Sequence, residues 1–220
     1  PTATSTPIQS TPISQAVATP TLVPSPTAVI PTPLSPTPPN TPQPTATPPF
    51  AGFSIGDPYA PELGNLGYDV TEYELIMALD PAVQNIDATV HISGVFTDPE
   101  MAQLSLDFVG FEIAELLWDN QPANFSRSGD KLIIETPTAL SNGQEFLLSI
   151  TYDGDPVERP SPYVGFASSL GMSFVDGQSI YVLSEPDGSR YWFPNNDHPR
   201  DKATYRFEIT VPAGLTAVAN

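Results

Sequence analysis

Few residues of this sequence could take part in metal or nucleophile chemistry. The chain has two histidines and no cysteine. His91 lies in the strand-like stretch "TVHISG", where a lone histidine is more often a packed residue than a ligand, and His198 lies in "NNDHPRDK" with no second histidine nearby. A catalytic zinc site normally uses three protein ligands, and the H-E-x-x-H helix that often supplies two of them is absent from the sequence. The residues therefore predict no metal site and no catalytic group within this chain.

Carboxylates are the abundant functional groups. The chain has 25 acidic and 7 basic residues, a net charge of -18, and none of these residues precedes Asp57. Such a domain repels phosphate backbones and anionic lipids, so we expect no nucleic-acid partner. No apolar run is long enough to cross a bilayer, so we expect no membrane insertion of this segment. The acidity suits a site for cationic groups, but a solvated surface explains it as well.

Residues 1–56 form a separate segment that is rich in Pro, Thr and Ser. Proline at this density removes backbone donors and holds each preceding residue in extended conformations. Such a composition cannot bury enough apolar surface to offset the entropy of ordering, so the segment is predicted to be disordered. A spacer that holds a domain away from a cell surface and a passive linker are both compatible with it. The spacer interpretation predicts an extracellular or surface-tethered protein, with any signal or anchor lying upstream.

Residues 57–220 show the alternation of apolar and polar side chains that is typical of β-strands. Stretches of this kind include "EYELIMALD", "TVHISGVF", "EFLLSITYDG" and "TYRFEITVP", separated by turn signals such as Ser141-Asn142-Gly143. In the first and last of these stretches, the apolar faces consist of Tyr73, Leu75, Met77 and Leu79, and of Tyr205, Phe207, Ile209 and Val211. "FEIAELLWD" is ambiguous, but its position between strands favours a strand. The pattern predicts an all-β fold, an antiparallel β-sandwich or saddle.

The segment "SEPDGSRYWFPNNDHPRDKATYRFEITVP" carries a specific resemblance. It is similar to the N-terminal domain of aminopeptidase N-like zinc metallopeptidases, whose pattern there is roughly "QxEPxxARxxFPCxDxPxxKAxF". The matching positions are Glu185, Pro186, Arg190, Phe193, Pro194, Asp197, Pro199, Lys202 and Ala203. The upstream stretches "LSLDFVGF" and "LSNGQEFLLSITYDGDP" resemble the same domain, so the similarity spans nearly all of residues 57–220.

The resemblance implies a role for one carboxylate. In the family, the glutamate of the "EP" element binds the free α-amino group of the peptide substrate, and Glu185 occupies that position. Without the resemblance, Glu185 would be interpreted as an ordinary turn carboxylate before a proline. Arg190, Asp197 and Lys202 are expected to form a supporting polar scaffold. The family often has Gln where this chain has Leu183, which puts one hydrogen-bonding partner of the amine in doubt. It often has Cys where this chain has Asn195, a departure from which we expect little consequence.

The resemblance also implies what lies outside the sequence. In the family, the G-x-M-E-N loop, the H-E-x-x-H helix and the distal zinc glutamate follow this domain, and none occurs here. We therefore expect a C-terminally truncated piece of a zinc aminopeptidase, which docks substrate but is inactive without the catalytic domain that holds the zinc. The alternative is a non-catalytic extracellular binding module with the same fold; a purely structural stalk leaves the motif match unexplained. The face that packs against the catalytic domain in the family would be exposed apolar surface in this piece, which predicts self-association.

Overall fold

The computed structural model describes residues 53–98, 101–136, 140–165 and 169–219. They belong to the unit Ala46–Asn220. Within the described ranges there are strands and one 3₁₀ turn but no α-helix, which confirms the all-β prediction. The strands are β1 (Tyr68–Leu79), β2 (Ile86–Phe96), β3 (Gln103–Asp107), β4 (Glu112–Trp118), β5 (Gln121–Pro122), β6 (Phe125–Ser128), β7 (Lys131–Glu135), β8 (Glu145–Gly154), β9 (Gly171–Val175), β10 (Ser179–Leu183) and β11 (Thr204–Thr210), and the 3₁₀ turn is Ser189–Tyr191.

The strands form three sheets. A six-stranded sheet has the order β11-β1-β2-β8-β4-β5, a three-stranded sheet has the order β3-β7-β6, and β9 pairs with β10 in a hairpin. Leu75, Val90 and Ile150 of the large sheet and Leu104 and Leu132 of the smaller one belong to the same hydrophobic core and are fully buried. The large and the three-stranded sheets therefore cover a shared core, as in a sandwich.

The predicted alternation is confirmed in β1. Tyr73, Leu75, Met77 and Leu79 are 2%, 0%, 4% and 8% exposed, and the intervening side chains face away from the core. In β11 the predicted alternation is also present, but its apolar face is only half-covered, and Tyr205 remains 49% exposed. The last strand thus presents apolar surface at the edge of the large sheet.

One pairing departs from the antiparallel expectation. β11 lies parallel to β1, with Tyr73 opposite Tyr205 and Met77 opposite Ile209. Strands β2 to β10 all lie between β1 and β11 in the chain. So long a connection does not require the antiparallel order that a short hairpin imposes. The two tyrosine rings stack with their centroids 5.2 Å apart.

The ambiguous stretch "FEIAELLWD" forms strand β4, as predicted, but not with uniform alternation. Its register against β8 shifts between Ile113 and Glu115, which marks a β-bulge. An inserted residue turns the later side chains over, so that Leu116 and Trp118 face the core instead of Glu115. The bulge explains why the sequence pattern was difficult to interpret there.

The predicted boundary at Asp57 falls inside the described part of the chain. Ser54 is 4% exposed, its hydroxyl donates a hydrogen bond to the carbonyl of Leu63, and the amide of Leu66 donates to the carbonyl of Phe53. Residues 53–56 are thus hydrogen-bonded to the β domain. The rest of the predicted tether lies outside the described residues. In the ranges that are described, no helix has the length and apolarity needed to cross a membrane.

Candidate functional site

Glu185 lies on a tight turn that follows β10. We call residues 184–188 the Glu185 turn. The amide of Gly188 donates a hydrogen bond to the carbonyl of Ser184 at 2.7 Å, and Nε1 of Trp192 donates to Oγ of Ser184 at 3.0 Å. Glu185 is exposed and is joined to Pro186 by a cis peptide bond. The turn therefore presents a solvent-accessible carboxylate on a hydrogen-bonded base.

Arg190 is buried beneath this turn at 3% exposure. Its Nη2 donates to Oδ2 of Asp187 at 2.9 Å and to the hydroxyl of Tyr191 at 2.8 Å, and its Nη1 donates to Oδ2 of Asp197 at 3.4 Å. Its Nε lies 3.9 Å from Oδ2 of Asp130. The guanidinium group thus connects the Glu185 turn, through Asp187, to the loop that carries Asp197.

A second buried cation lies on the other side of Asp197. Lys131, 2% exposed, donates from Nζ to Oδ1 of Asp107 at 2.6 Å, to Oδ1 of Asn65 at 3.0 Å and to the carbonyl of Gly64 at 3.1 Å. Oδ2 of Asp107 accepts hydrogen bonds from Nδ2 of Asn65 at 2.8 Å and from the amide of Asp197 at 3.1 Å. Asp107 therefore joins the Lys131 and Arg190 clusters into one buried polar network.

The network contains more acid than base. Its buried charged residues are Asp107, Asp187, Asp197, Lys131 and Arg190, which are three carboxylates against two cations. Burial and the neighbouring Asp107 raise the pKa of Asp197 to about 7, although Arg190 acts in the opposite direction. Burial disfavours the charged form of Arg190, but Asp197, Tyr191 and Asp187 outweigh that effect, so the pKa of Arg190 is raised above its ordinary value. Protonation of Asp197 therefore relieves the extra negative charge as the pH falls through about 7.

The structure separates the predicted scaffold residues. Arg190 and Asp197 are in contact, whereas Lys202 is exposed and contributes no group to the buried network. Asn195, at the position where the family often has cysteine, is buried and exchanges backbone hydrogen bonds with Asp107. Leu183, two residues before Glu185, is 45% exposed and provides an apolar side chain where the family often has an amide.

An apolar groove of about 730 Å³ borders the Glu185 turn. β9, β10, β11 and the end of β1 supply its walls, together with the residues that follow β11. Its lining includes Met77, Met172, Tyr181, Ser184, Trp192, Phe207, Ile209 and Leu215. Ser184 and Trp192, which hold the base of the turn, are part of this lining. The Glu185 turn therefore borders a large apolar surface through Ser184.

The histidines do not form a metal site. His91 is half-buried on β2, between Glu74 of β1 and Ser149 of β8. Nε2 of His198 lies 3.4 Å from Oδ2 of Asp57, and its Nδ1 accepts a hydrogen bond from the amide of Arg200. No group of three or more His, Cys, Asp or Glu residues in the described ranges could hold a metal ion. The donor set of these ranges therefore does not fit zinc.

Comparison with known proteins identifies the family. The sequence profile of the peptidase M1 N-terminal domain matches residues 70–220. The chain belongs to the peptidase M1 N-terminal domain family. The resemblance that the sequence predicted is thereby confirmed.

Similar proteins and structures agree with this assignment. Probable aminopeptidase 1 of Saccharolobus solfataricus is 25% identical over 129 residues, which are 59% of this chain and 15% of that protein. An M1 zinc metallopeptidase mutant from Deinococcus radiodurans, solved with a Tyr-Ser-Ala substrate, is 30% identical with a TM-score of 0.66, over 73% of this chain and 36% of that one. Leukotriene A4 hydrolase from Saccharomyces cerevisiae, 18% identical, shares the fold with a TM-score of 0.50 over 66% of this chain and 24% of that one. The chain thus spans a minor part of each relative.

Sequence reasoning did not single out three charged members of the network, Asp107, Lys131 and Asp187. A signal was present for the first two. Asp107 interrupts the apolar run "LSLDFVG", and Lys131 opens the apolar strand "KLIIE". Charged residues in such runs are rarely buried unless they are paired, so each predicts a partner, although the sequence does not reveal which one. Asp187 carried no comparable signal, because it lies in a polar turn.

Proposed function

We propose that this domain docks the N-terminus of peptide substrates for a zinc aminopeptidase, and that Glu185 binds the free α-ammonium group. The observation that carries the proposal is the placement of Glu185, an exposed carboxylate on a turn with a buried, hydrogen-bonded base. It occupies the position of the family's amine-binding glutamate. Membership of the M1 N-terminal domain family supports the proposal, as does the Tyr-Ser-Ala complex of the Deinococcus radiodurans relative, because that peptide has a free α-amino group.

The chemistry of the contact accounts for exopeptidase specificity. A carboxylate paired with an ammonium group forms a charge-assisted hydrogen bond, which is stronger than a neutral one. An acetylated N-terminus removes both the charge and two donors, so a site built for the ammonium rejects it. A fixed N-terminus also places the first peptide bond at a constant distance from the anchor, which favours the reaction through proximity.

We propose that the zinc is held by a catalytic domain of the same polypeptide. The described residues of this chain do not fit a metal, whereas structural relatives are zinc metallopeptidases and are longer than this chain. Zinc in such a domain would supply metal-assisted attack of water on the peptide carbonyl. This chain would contribute the amine anchor and one wall of the cleft, and alone it would have no peptidase activity.

The amine anchor is tested in the product of the complete gene. Glu185→Gln keeps the shape of the side chain but removes its charge. Because hydrogen bonds to charged groups contribute about 1.5–3 kcal/mol, the KM for a free-amine dipeptide anilide should rise about tenfold or more. The matched control is Glu115→Gln. Glu115 is an exposed glutamate of β4, which lies near the opposite end of the large sheet from β11. Equal KM values for Glu185→Gln and the unchanged protein would contradict the proposal.

A second candidate is a non-catalytic interaction module with the same fold. The apolar groove of about 730 Å³ and the exposed side chains of Tyr181, Val182 and Leu183 favour it, because apolar patches of this kind mark interaction sites. The kinetic test separates the two candidates. A complete gene product without chelator-sensitive aminopeptidase activity would favour the module.

We also propose that the protein is extracellular or tethered to a cell surface. The support is the Pro/Thr-rich composition of residues 1–56, which contains no charged residue. Protease treatment of intact cells tests this proposal. Removal of the β domain from the cell fraction is the expected result, and full protection until the cells are lysed would contradict it.

A further inference from the structure

Two side chains of the Glu185 turn accept hydrogen bonds from buried residues that follow the turn in sequence. Nε1 of Trp192 donates to Oγ of Ser184 at 3.0 Å, and Nη2 of Arg190 donates to Oδ2 of Asp187 at 2.9 Å. Glu185 lies between these two points, one residue after Ser184 and two before Asp187. Its own side chain is exposed, whereas Asp187 is fully buried. The turn is therefore held on both sides of the one carboxylate that faces solvent.

The turn leaves no room for a side chain at Gly188. A Cβ added there would lie 2.8 Å from the carbonyl oxygen of Leu183 and 2.9 Å from Cβ of Leu170. The amide of Gly188 closes the turn onto the carbonyl of Ser184 at 2.7 Å. The end of the turn is thus packed against β10 and the residue before β9, and Glu185 and Asp187 belong to the same short, closed loop.

A gain in the folding stability of the domain does not by itself account for the ion pair between Asp187 and Arg190. Removing two charges from water is expensive, and replacing a buried ion pair by apolar residues is often neutral or stabilising. Oδ1 of Asp187 also receives no hydrogen bond from any residue that the structure describes, which adds to the cost. What the pair does provide is geometry, because a guanidinium group directs its hydrogen bonds in a fixed plane.

We infer that Asp187 and Arg190 are positioning residues for Glu185. They hold the turn so that the Glu185 carboxylate is already placed before a substrate ammonium group arrives. A preorganised anchor loses less conformational freedom on binding than a mobile one, so affinity for the free N-terminus depends on this buried pair. The inference rests on the proposed role of Glu185, because the position of that side chain matters only if it binds the substrate.

The first test is hydrogen exchange on the chain itself. Asp187→Asn keeps the volume of the side chain and removes the charge that Arg190 binds. The amide of Gly188 should exchange about tenfold faster or more, and its acceleration should exceed that of amides in the middle of β2 and β8, which report only the global free energy of unfolding. Asp176→Asn, an exposed aspartate in the β9-β10 turn, is the matched control. An equal acceleration at Gly188 and in the core strands would reveal general destabilisation and overturn the inference.

The second test is a double-mutant cycle in the complete gene product. Asp187→Asn should raise the KM for a free-amine substrate about threefold or more and leave kcat unchanged. In the Glu185→Gln background it should have no further effect, because a residue that acts through Glu185 cannot act without it. Independent effects of the two substitutions would overturn the positioning role and leave the amine anchor intact. No effect of Glu185→Gln would instead refute the proposed function.

A milder variant covers the case in which Asp187→Asn does not fold. Ser184→Ala removes only the hydroxyl that accepts from Trp192, on the other side of Glu185. The same rise in KM, the same constant kcat and the same dependence on Glu185 are expected. A change in kcat without a change in KM would contradict the inference.

Discussion

Loss of the buried ammonium group of Lys131 should destabilise the domain strongly. Nζ of Lys131 lies 2.6 Å from Oδ1 of Asp107, and the two side chains are 2% and 1% exposed. Lys131→Met retains the length and apolar stem of the side chain but leaves the Asp107 carboxylate buried without its cation. Removing one partner of a buried ion pair typically costs about 3–5 kcal/mol, because the remaining charge is uncompensated.

Urea denaturation of the 220-residue chain measures this cost. Trp118 and Trp192 are buried, so their fluorescence should report unfolding. With an m-value of about 2 kcal/mol per molar urea, the midpoint for Lys131→Met should fall by about 2 M. A fall of less than about 0.5 M would correspond to less than roughly 1 kcal/mol and would contradict the cost expected for an uncompensated buried carboxylate.

A double variant separates the ion pair from simple loss of packing. Oδ2 of Asp107 accepts from Asn65 and from the amide of Asp197, and an asparagine oxygen can keep both bonds. Asp107→Asn with Lys131→Met therefore removes both charges and preserves the other contacts of Asp107. It should be at least about 2 kcal/mol more stable than Lys131→Met alone. If both are equally unstable, the uncompensated carboxylate is not the cause.

Two further predictions concern the pH dependence of stability and the apolar groove. The pKa of Asp197 rises from its ordinary value of 3.8 to about 7 on folding, so between these values the folded state binds more protons than the unfolded state. The stabilisation from Asp197 is present below about pH 4 and is lost as the pH rises through 7, at most on the order of 4 kcal/mol, so the urea midpoint should be higher at pH 5 than at pH 8. A higher midpoint at pH 8 would contradict this prediction. The exposed apolar face should cause self-association that Tyr181→Glu weakens, measured by sedimentation, because Tyr181 is 53% exposed on the groove. A compact monomer of the unchanged chain at high concentration would contradict this prediction.

The strands were predictable because their signal is local. Alternation within "EYELIMALD" correctly assigned Leu75 and Met77 to the core, since side chains two residues apart share a face. The parallel pairing of β11 with β1 was not predictable in this way. It depends on which distant strand covers the edge of β1, and a period of two residues carries no information about the partner or the direction.

The same distinction between local and long-range signals applies to the candidate site. Glu185, Arg190 and Asp197 were singled out as candidates because they belong to one short motif. The buried network was not, because its contacts join distant segments, such as Asn65 with Asn196 and Lys131 with Gly64. Lys202 matches the motif as well, yet it is exposed and does not join Arg190 and Asp197. A motif indicates which residue types recur, whereas the packing of the surrounding loops decides which of them meet.

The most direct test of the account is the reading frame beyond the codon for Asn220. If this domain precedes a zinc peptidase domain, the frame continues into a G-x-M-E-N loop and an H-E-x-x-H helix. A stop codon immediately after Asn220, confirmed in the natural gene, would contradict the amine-anchor proposal and leave the interaction module as the function of this fold.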